Sequence, residues 1–300
     1  MKIVRFSQNG QDPRLGALMG DRIGDLQASL AATLAKRGTV RATEIAAALV
    51  PQSARGFLEG GATSRDAVAA ITEWVTVPAA SARLHAPIAD PGKFICIGLN
   101  YRDHAIETNN PIPKEPPIFA KWNNAILDPG EPILRARGSM QLDWEVELGV
   151  VIGKTARFVS REQALDHVWG YTIINDVSAR DFQFITSQWM AGKILETYAP
   201  VGPYIADTSE IPDPHALGLR TFVNGKQMQN GNTKTFIFDV RYLVSYLSGL
   251  ITLQPGDLIA TGTPPGVGHA MKPPQYMKPG DICRVEIDGL GTLENGVKDA

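Results

Sequence analysis

From residue 93 onward the chain is a succession of short apolar segments that end in Gly, Pro, Asn or Asp, and this texture restricts what it can fold into. Segments of this length and composition are typical of strands, and the turn formers mark their ends. Asn224-Gly225 and Asp288-Gly289 indicate hairpin turns. Helical pattern is limited to SREQALDHV and to FDVRYLVSYLSGL, the latter with Asp239 as a candidate N-cap. Because regular strand–helix alternation is missing, we predict a mostly β, mixed sheet.

The first 85 or so residues have a different composition. MKIVRFS alternates as a strand does, and LGALMGDRIGDL indicates a hairpin that turns at Gly20-Asp21. SLAATLAKR, ATEIAAALV and SRDAVAAITEWV favour helices, the last with Ser64 as a candidate N-cap. LHAPIADPGK then indicates a linker. We therefore predict an α+β protein with a small amino-terminal α+β domain at 1–86 and a mostly β domain at 87–300, two units that 300 residues can supply.

Composition excludes several functional classes. Lys and Arg number 29 against 31 Asp and Glu, and without a basic stripe we expect no nucleic-acid partner. No apolar run approaches the roughly 20 residues that cross a bilayer, and the amino end lacks the apolar region of a signal peptide. Cys96 and Cys283 stand in no paired motif, which favours a reducing compartment. The sequence predicts a cytoplasmic protein with no membrane partner.

Acidic residues cluster in DWEVEL at 143–148. On an extended segment Asp143, Glu145 and Glu147 share one face, which is either solvated or occupied by a cation. The non-alternating LGVVIG that follows indicates burial on both faces, and Asp176 ends another apolar strand, YTIINDV. Carboxylates gathered at strand ends suit Mg²⁺ or Mn²⁺, whereas zinc would call for His or Cys ligands.

A histidine follows another apolar strand, in GLNYRDHAIET at 98–108. If this segment forms a helical turn, His104 and Glu107 share a face, and the carboxylate fixes the tautomer so that the imidazole can act as a base. The alternative is an ordinary surface histidine beside a glutamate. His269, after a Gly-rich turn, remains open as a site residue, and the proline-rich stretch at 108–117 indicates a surface loop that closes over something.

Four more polar residues are candidates for binding a substrate. Arg180 and Gln183 follow Asp176 by four and seven positions, and an arginine can clamp a carboxylate. Lys193 lies in an apolar stretch and can stabilise an oxyanion, unless it is simply solvated. Thr263, in ATGTPPGVG, offers a hydroxyl to an anion, unless the stretch is an ordinary turn.

Taken together, these stretches resemble the fumarylacetoacetate hydrolase family. The matching segments, in order, are IGLNYRDHAIE, LDWEVELGVVIG, NDVSARDFQ, AGKILETYAPVGP and DLIATGTPPGVG, followed by MKPGDICRVEIDGLG. The resemblance implies a catalytic domain of mixed, rolled β-sheets with few helices, in a homodimer. The first 85 residues resemble the variable amino-terminal portion of longer members.

The resemblance also implies roles for individual residues. It places one divalent metal, Mg²⁺ or Mn²⁺, on three acids and leaves Asp143 outside that set. It implies water activation by a His–Glu pair, oxyanion stabilisation by a lysine, and a substrate site lined by three polar residues: Glu145, Glu147 and Asp176 for the metal; His104 and Glu107; Lys193; Arg180, Gln183 and Thr263. Ile194 and Leu195 depart from the polar and aromatic residues that commonly follow this lysine.

The activity that the resemblance implies is hydrolysis of a carbon–carbon bond in a β-diketo acid, such as an acylpyruvate. The same metal site would also serve a lyase or isomerase, for example an oxaloacetate decarboxylase or a hydroxymuconate-type isomerase, because these reactions form an enolate without an attacking water. A third alternative is a non-catalytic protein with a structural Ca²⁺. The acyl group of the substrate and the pathway stay open at this stage.

Overall fold

The computed structural model describes residues 1–300, with nineteen strands and seven α-helices. The strands are β1 Lys2–Ser7, β2 Arg14–Met19, β3 Arg22–Asp25, β4 Thr76–Pro78, β5 Arg83–His85, β6 Phe94–Ile97, β7 Ile118–Ala120, β8 Ile126–Leu127, β9 Ile133–Arg135, β10 Leu142–Asp143, β11 Val146–Ile152, β12 Val168–Asn175, β13 Ser178–Ala179, β14 Ala199–Asp207, β15 Gly218–Val223, β16 Lys226–Asn232, β17 Leu258–Ala260, β18 Ile282–Ile287 and β19 Gly291–Asp299. The helices are α1 Leu26–Lys36, α2 Ala42–Leu49, α3 Ala54–Glu59, α4 Gly61–Ala69, α5 Arg102–Glu107, α6 Arg180–Gln183 and α7 Val240–Leu250.

Twelve strands form one mixed sheet that runs through both halves of the chain. Its order is β4-β3-β2-β1-β14-β12-β11-β17-β6-β7, with β5 paired to β1 and β8 paired to β14. The amino-terminal strands join this sheet through antiparallel pairing of β1 with β14, where Ile3 lies opposite Ile205. Helix α1 packs on β2 and β3, α2 and α4 pack against α1, and α3 packs against α4. The division of the chain into domains at 86/87 stays a prediction.

A second sheet of five strands, β16-β15-β18-β19-β9, packs beside the first, and β10 and β13 form a separate two-stranded ribbon. Two groups of buried apolar residues fill the interior: one of 40 residues between the two sheets and α7, and one of 24 residues beneath the amino-terminal helices. The mostly β, mixed architecture predicted from the sequence is confirmed. No helix is long and apolar enough to span a bilayer.

Local predictions are confirmed where a turn or cap decided them. The hairpins turn at residues 20–21 and 224–225, and Asp239 caps α7 by accepting a hydrogen bond from the Tyr242 amide. Two local predictions are wrong. Ser64 lies buried within α4, which begins at Gly61, and SREQALDHV forms only a short 3-10 turn at Ala164–His167.

Pairing around β11 gathers four chain segments at one end of the large sheet. β11 pairs antiparallel with β12 on one side and with β17 on the other, and β17 runs parallel to β6. The start of β11 therefore lies beside the ends of β12, β17 and β6. The segments that leave those three strands carry the candidate functional residues.

Candidate active site

The strand register explains how Glu145 and Asp176, 31 positions apart in the sequence, come together. Val146 at the start of β11 pairs with Asn175 at the end of β12, so Glu145 and Asp176 are the next residues out on each strand. The Asp176 amide donates to the Glu145 carbonyl at 2.9 Å. Glu147 lies two residues after Glu145, on β11, further into the sheet. One oxygen from each of these three carboxylates lies within 4.8 Å of the others.

All the acids of this segment are buried, so the interpretation of a solvated strand face is wrong. Glu145 is 5% exposed, Glu147 is 2% exposed, and Asp143 and Asp176 are fully buried. Buried carboxylates require compensating positive charge or hydrogen-bond donors. The neighbouring side chains supply both.

Arg180, at the start of α6, joins two of the acids. Its Nε donates to Asp143 Oδ2 at 2.8 Å, its Nη2 donates to Glu145 Oε1 at 2.7 Å, and its Nη1 donates to Gln183 Oε1 at 2.9 Å. Asp143 also accepts backbone N–H bonds, from Gly268 among others. Asp143 thus fixes the guanidinium and the Gly-rich turn rather than facing solvent.

Lys193 bridges the other side of the acid group. Its Nζ donates to Glu145 Oε2 at 2.7 Å and to Asp176 Oδ2 at 2.9 Å, and it lies 5.3 Å from the centroid of the Phe119 ring. Burial disfavours the ammonium, but the carboxylates of Asp176 and Glu145 outweigh burial and raise the pKa of Lys193. The lysine is therefore a cation, with one N–H that the carboxylates do not use.

A second buried lysine, Lys121, lies on the other side of Asp176. Its Nζ donates to three backbone carbonyls, those of Val177, Lys193 and Tyr198, at 3.1, 2.6 and 2.7 Å. It also lies 2.7 Å from Asp176 Oδ1, so the ammonium and this carboxylate form a buried ion pair. Burial lowers the pKa of Lys121, but three carbonyl acceptors require the charged form.

The charges and donor atoms fit a divalent cation. Burial, followed by the charges of Asp176 and Glu145, raises the pKa of Glu147 well above its ordinary value, whereas Lys193 and Arg180 overcome burial and lower that of Glu145 to about 2. One more positive charge would keep all three acids ionised. Three buried carboxylates form the oxygen-only donor set that Mg²⁺ and Mn²⁺ prefer.

The predicted His–Glu pair forms on α5. His104 Nδ1 lies 2.8 Å from Glu107 Oε1, and the Glu107 carboxylate also accepts the Gly266 amide at 2.9 and 3.1 Å. Gly266 has a φ of +105°, and a Cβ there would lie 2.2 Å from the Met228 carbonyl oxygen, so only glycine fits. The turn after β17 thus holds the carboxylate that orients the imidazole.

The segment after β17 also holds one of the acids. The Gly262 amide donates to Glu147 Oε2 at 2.8 Å. The Thr263 hydroxyl donates to the Val146 carbonyl and accepts from the Gln229 side chain, at 3.0 and 2.8 Å. The hydroxyl proton is thus used within the protein, and Thr263 anchors the turn to the start of β11.

These groups open onto a cavity of about 320 Å³. Seven of the nine predicted site residues line it: His104, Glu145, Glu147, Arg180, Gln183, Lys193 and Thr263. Glu107 and Asp176 lie behind His104 and Lys193. The rest of the wall is formed by side chains that include Phe119, Phe184, Trp189 and His269, and by Thr108 and Asn110 from the loop that the proline-rich stretch indicated.

Sequence reasoning missed Lys121 and Gln229. Lys121 follows the strand residues IFA, a position at which a lysine is usually solvated, yet it is only 2% exposed. Gln229 is fully buried on a strand, KQMQNGN, whose composition indicates a solvated edge. The only sequence signal for Lys121 was the apolar run that precedes it, and Gln229 had none.

The comparisons with known proteins agree with this geometry. The family described as "Fumarylacetoacetate (FAA) hydrolase C-terminal" matches residues 93–298. A mitochondrial oxaloacetate tautomerase from Xenopus laevis is 49% identical over 216 residues, 71% of this chain and 68% of that protein.

Two solved structures share the fold over the whole chain. A fumarylacetoacetate hydrolase from Exiguobacterium antarcticum has a TM-score of 0.82 at 35% identity, with both chains fully covered. A maleylpyruvate hydrolase from Sphingobium, solved with manganese(II) and pyruvate, has a TM-score of 0.77 at 29% identity, again with full coverage of both chains. The match over two thirds of the sequence, together with these likenesses, shows that the chain belongs to the fumarylacetoacetate hydrolase family.

Proposed function

We propose that this protein is a divalent-metal-dependent hydrolase that cleaves a carbon–carbon bond in a β-diketo acid of the acylpyruvate type. One observation carries the proposal: His104, held by Glu107, lines the same cavity as Glu145 and Glu147, two members of the three-carboxylate group. A bound Mg²⁺ or Mn²⁺, held by Glu145, Glu147 and Asp176, would act as a Lewis acid on the oxygens of the 2-oxo acid end.

His104 supplies the base. Its Nδ1–H donates to the Glu107 carboxylate, so Nε2 carries a lone pair and can take a proton from water. The resulting hydroxide adds to the acyl carbonyl carbon. The carbon–carbon bond then breaks, which yields the carboxylic acid and the enolate of the 2-oxo acid, and the proton on Nε2 returns to the enolate carbon.

Lys193 supplies a donor for the oxygen that becomes negative during this addition. Its ammonium is held by Glu145 and Asp176, and its third N–H is free for a ligand in the cavity. A preorganised charged donor of this kind is worth about 3–4 kcal/mol of transition-state stabilisation in other enzymes. Arg180 holds the carboxylates of Asp143 and Glu145 and donates to Gln183, and both side chains line the same wall.

A second candidate reaction uses the same site without an attacking water. The 49% identity to an oxaloacetate tautomerase favours keto–enol tautomerisation of a β-keto acid, in which one group moves a proton at the carbon next to the keto group. Decarboxylation or isomerisation of a related acid would use the same enolate. In each of these reactions there is no attacking water for His104 to activate.

Two measurements distinguish the candidate reactions: hydrolysis by the His104→Ala variant, and the preference of the wild-type protein between the two substrates. We expect hydrolysis of acetylpyruvate to fall by about 10²–10⁴-fold, the usual contribution of a positioned base. If oxaloacetate is the true substrate, the wild-type protein will tautomerise it far faster than it hydrolyses any diketo acid. His167→Ala, on the 3-10 turn away from the cavity, is the matched control and keeps full activity.

The hydrolase proposal is wrong if the wild-type protein, loaded with Mg²⁺ or Mn²⁺, cleaves no acylpyruvate while it turns over oxaloacetate. Metal-stimulated hydrolysis that His104→Ala leaves intact also contradicts it. The choice of Mg²⁺ over Mn²⁺, the homodimer and the cytoplasmic location stay predictions.

A further inference from the structure

The cavity has two ends that differ in charge. The inner end is formed by Glu145, Glu147 and Lys193, all buried. The outer end opens to solvent and is formed by Asn110, Phe184 and His269, of which Phe184 is 53% exposed. The reacting groups belong to the inner end, so the outer end receives the far end of the acyl group.

The cations of the cavity are all committed to the inner end. Arg180 and Lys193 are the only lysine or arginine side chains that line it, and both are hydrogen-bonded to buried carboxylates. The buried charged groups around them are four acids and three bases: Asp143, Glu145, Glu147, Asp176, Lys121, Arg180 and Lys193. With a divalent cation this set carries one net positive charge, which a single substrate carboxylate neutralises.

The outer end carries a histidine whose position and surroundings are fixed. The His269 amide donates to Asp143 Oδ2 at 3.0 Å, and its Nδ1 lies 2.9 Å from the Tyr276 hydroxyl. The ring of Phe184 lies against the imidazole, with centroids 5.2 Å apart. Partial burial, together with the positive charge of Arg180, lowers the pKa of His269, so no cation stands at this end near neutral pH.

Aromatic side chains also line the wall between the two ends. Trp189 packs edge-on against Phe119, with ring centroids 5.8 Å apart, and both line the cavity. If the Tyr276 hydroxyl donates to Nδ1, the remaining His269 nitrogen is an N–H donor for a neutral acceptor. A carboxylate placed here would lose its hydration without gaining a charged partner.

We propose that His269 and Phe184 form a recognition site for an uncharged acyl group, so that the substrates are diketo acids with a single carboxylate. His269 is the residue that sets this preference, because it stands where a cation would be needed to receive a second carboxylate. The inference rests on the proposed function, since it concerns the acyl end of the same substrate.

The test uses two seven-carbon diketo acids that are identical except that one ends in a methyl group and the other in a carboxylate. We expect wild-type kcat/KM to favour the methyl-ended acid by at least about tenfold. His269→Arg should reduce or reverse that ratio by at least about tenfold, because it adds a cation at the outer end. His269→Gln, which keeps a neutral donor, should leave the ratio within about twofold.

Thr208→Arg, an added arginine at an exposed residue outside the cavity, controls for a general change in charge and should leave the ratio unchanged. The dissociation constants of both acids, measured by calorimetry on Mn²⁺-loaded protein in a His104→Ala background, give the same ratio without turnover. This separates the two proposals: absent hydrolysis with a preserved binding ratio removes only the proposed reaction. Equal binding of the two acids, or a ratio that His269→Arg leaves unchanged, overturns the inference.

Discussion

Asp176 separates two buried lysines that the protein uses in opposite ways. On the Oδ1 side, Lys121 donates to three backbone carbonyls, which leaves no proton free and closes the structure beneath the acids. On the Oδ2 side, Lys193 gives two protons to carboxylates and keeps one for the cavity. Both lysines are buried, and they differ in the number of ammonium protons left free for a ligand: none on Lys121 and one on Lys193.

The largest effect is expected for Lys121, on the Oδ1 side of Asp176. Lys121→Met removes a buried cation and leaves three carbonyls and the Asp176 carboxylate without it, which should lower the free energy of unfolding by about 3–5 kcal/mol. Urea unfolding of the metal-loaded protein measures this. Lys36→Met, whose exposed pair with Glu73 is worth less than about 1 kcal/mol, is the control. Equal losses of stability in the two variants would contradict a structural role for Lys121.

For Lys193, on the Oδ2 side of Asp176, substitution should reduce turnover rather than stability. Lys193→Met should reduce kcat by about 10²–10³-fold, because it removes the free N–H from the transition state. Mn²⁺ affinity should hold or increase, since a positive charge beside two metal-ligating carboxylates is lost. Steady-state kinetics and calorimetry measure the two quantities separately. Unchanged kcat together with weaker Mn²⁺ binding would make Lys193 a structural residue.

Arginine substitutions sharpen the same comparison with a smaller effect. Lys121→Arg adds bulk to a closed space and should cost about 1–3 kcal/mol of stability. Lys193→Arg can extend toward the cavity and should cost less. Thermal unfolding of both variants measures the two stability losses. A larger loss of stability for Lys193→Arg would contradict our assignment of Lys193 to the side of Asp176 that faces the cavity.

How much of this could be read from the sequence depended on the range of the contacts. Hairpins, the cap at Asp239 and the turn that pairs His104 with Glu107 are local, and their residues predict them. The convergence of Glu145 with Asp176 needed only the expectation that acids at strand ends meet. The burial of Lys121 depends on carbonyls 56 to 77 positions away, and no local pattern reports them.

Long-range pairing also limited the prediction of the fold. The strands β1 to β3 were predicted correctly, but their union with the main sheet rests on pairing between β1 and β14, about 200 residues apart. Alternation within each strand does not name its partner. The same holds for Gln229, whose buried contacts lie with Thr221, Val146 and Thr263 across the two sheets.

The smallest predicted effect concerns protons. The raised pKa of Glu147 means that, without metal, its contribution to stability is present below its ordinary pKa of 4.5 and is lost as pH rises toward the raised value. Metal binding should therefore release a proton from the molecules in which Glu147 is protonated. Calorimetry of Mn²⁺ binding in buffers of different ionisation enthalpy counts it. A count that Glu147→Gln leaves unchanged would assign the proton to another group.

The account depends most on the convergence of three carboxylates around one divalent ion. Calorimetric titration of metal-free protein with Mn²⁺ tests it directly, with Glu147→Gln as the variant and the exposed Glu44→Gln as its control. We predict one Mn²⁺ per chain in the wild type and in the control, and at least about 100-fold weaker binding in Glu147→Gln. Absence of saturable binding in the wild type, or equal affinity in all three proteins, would contradict the account.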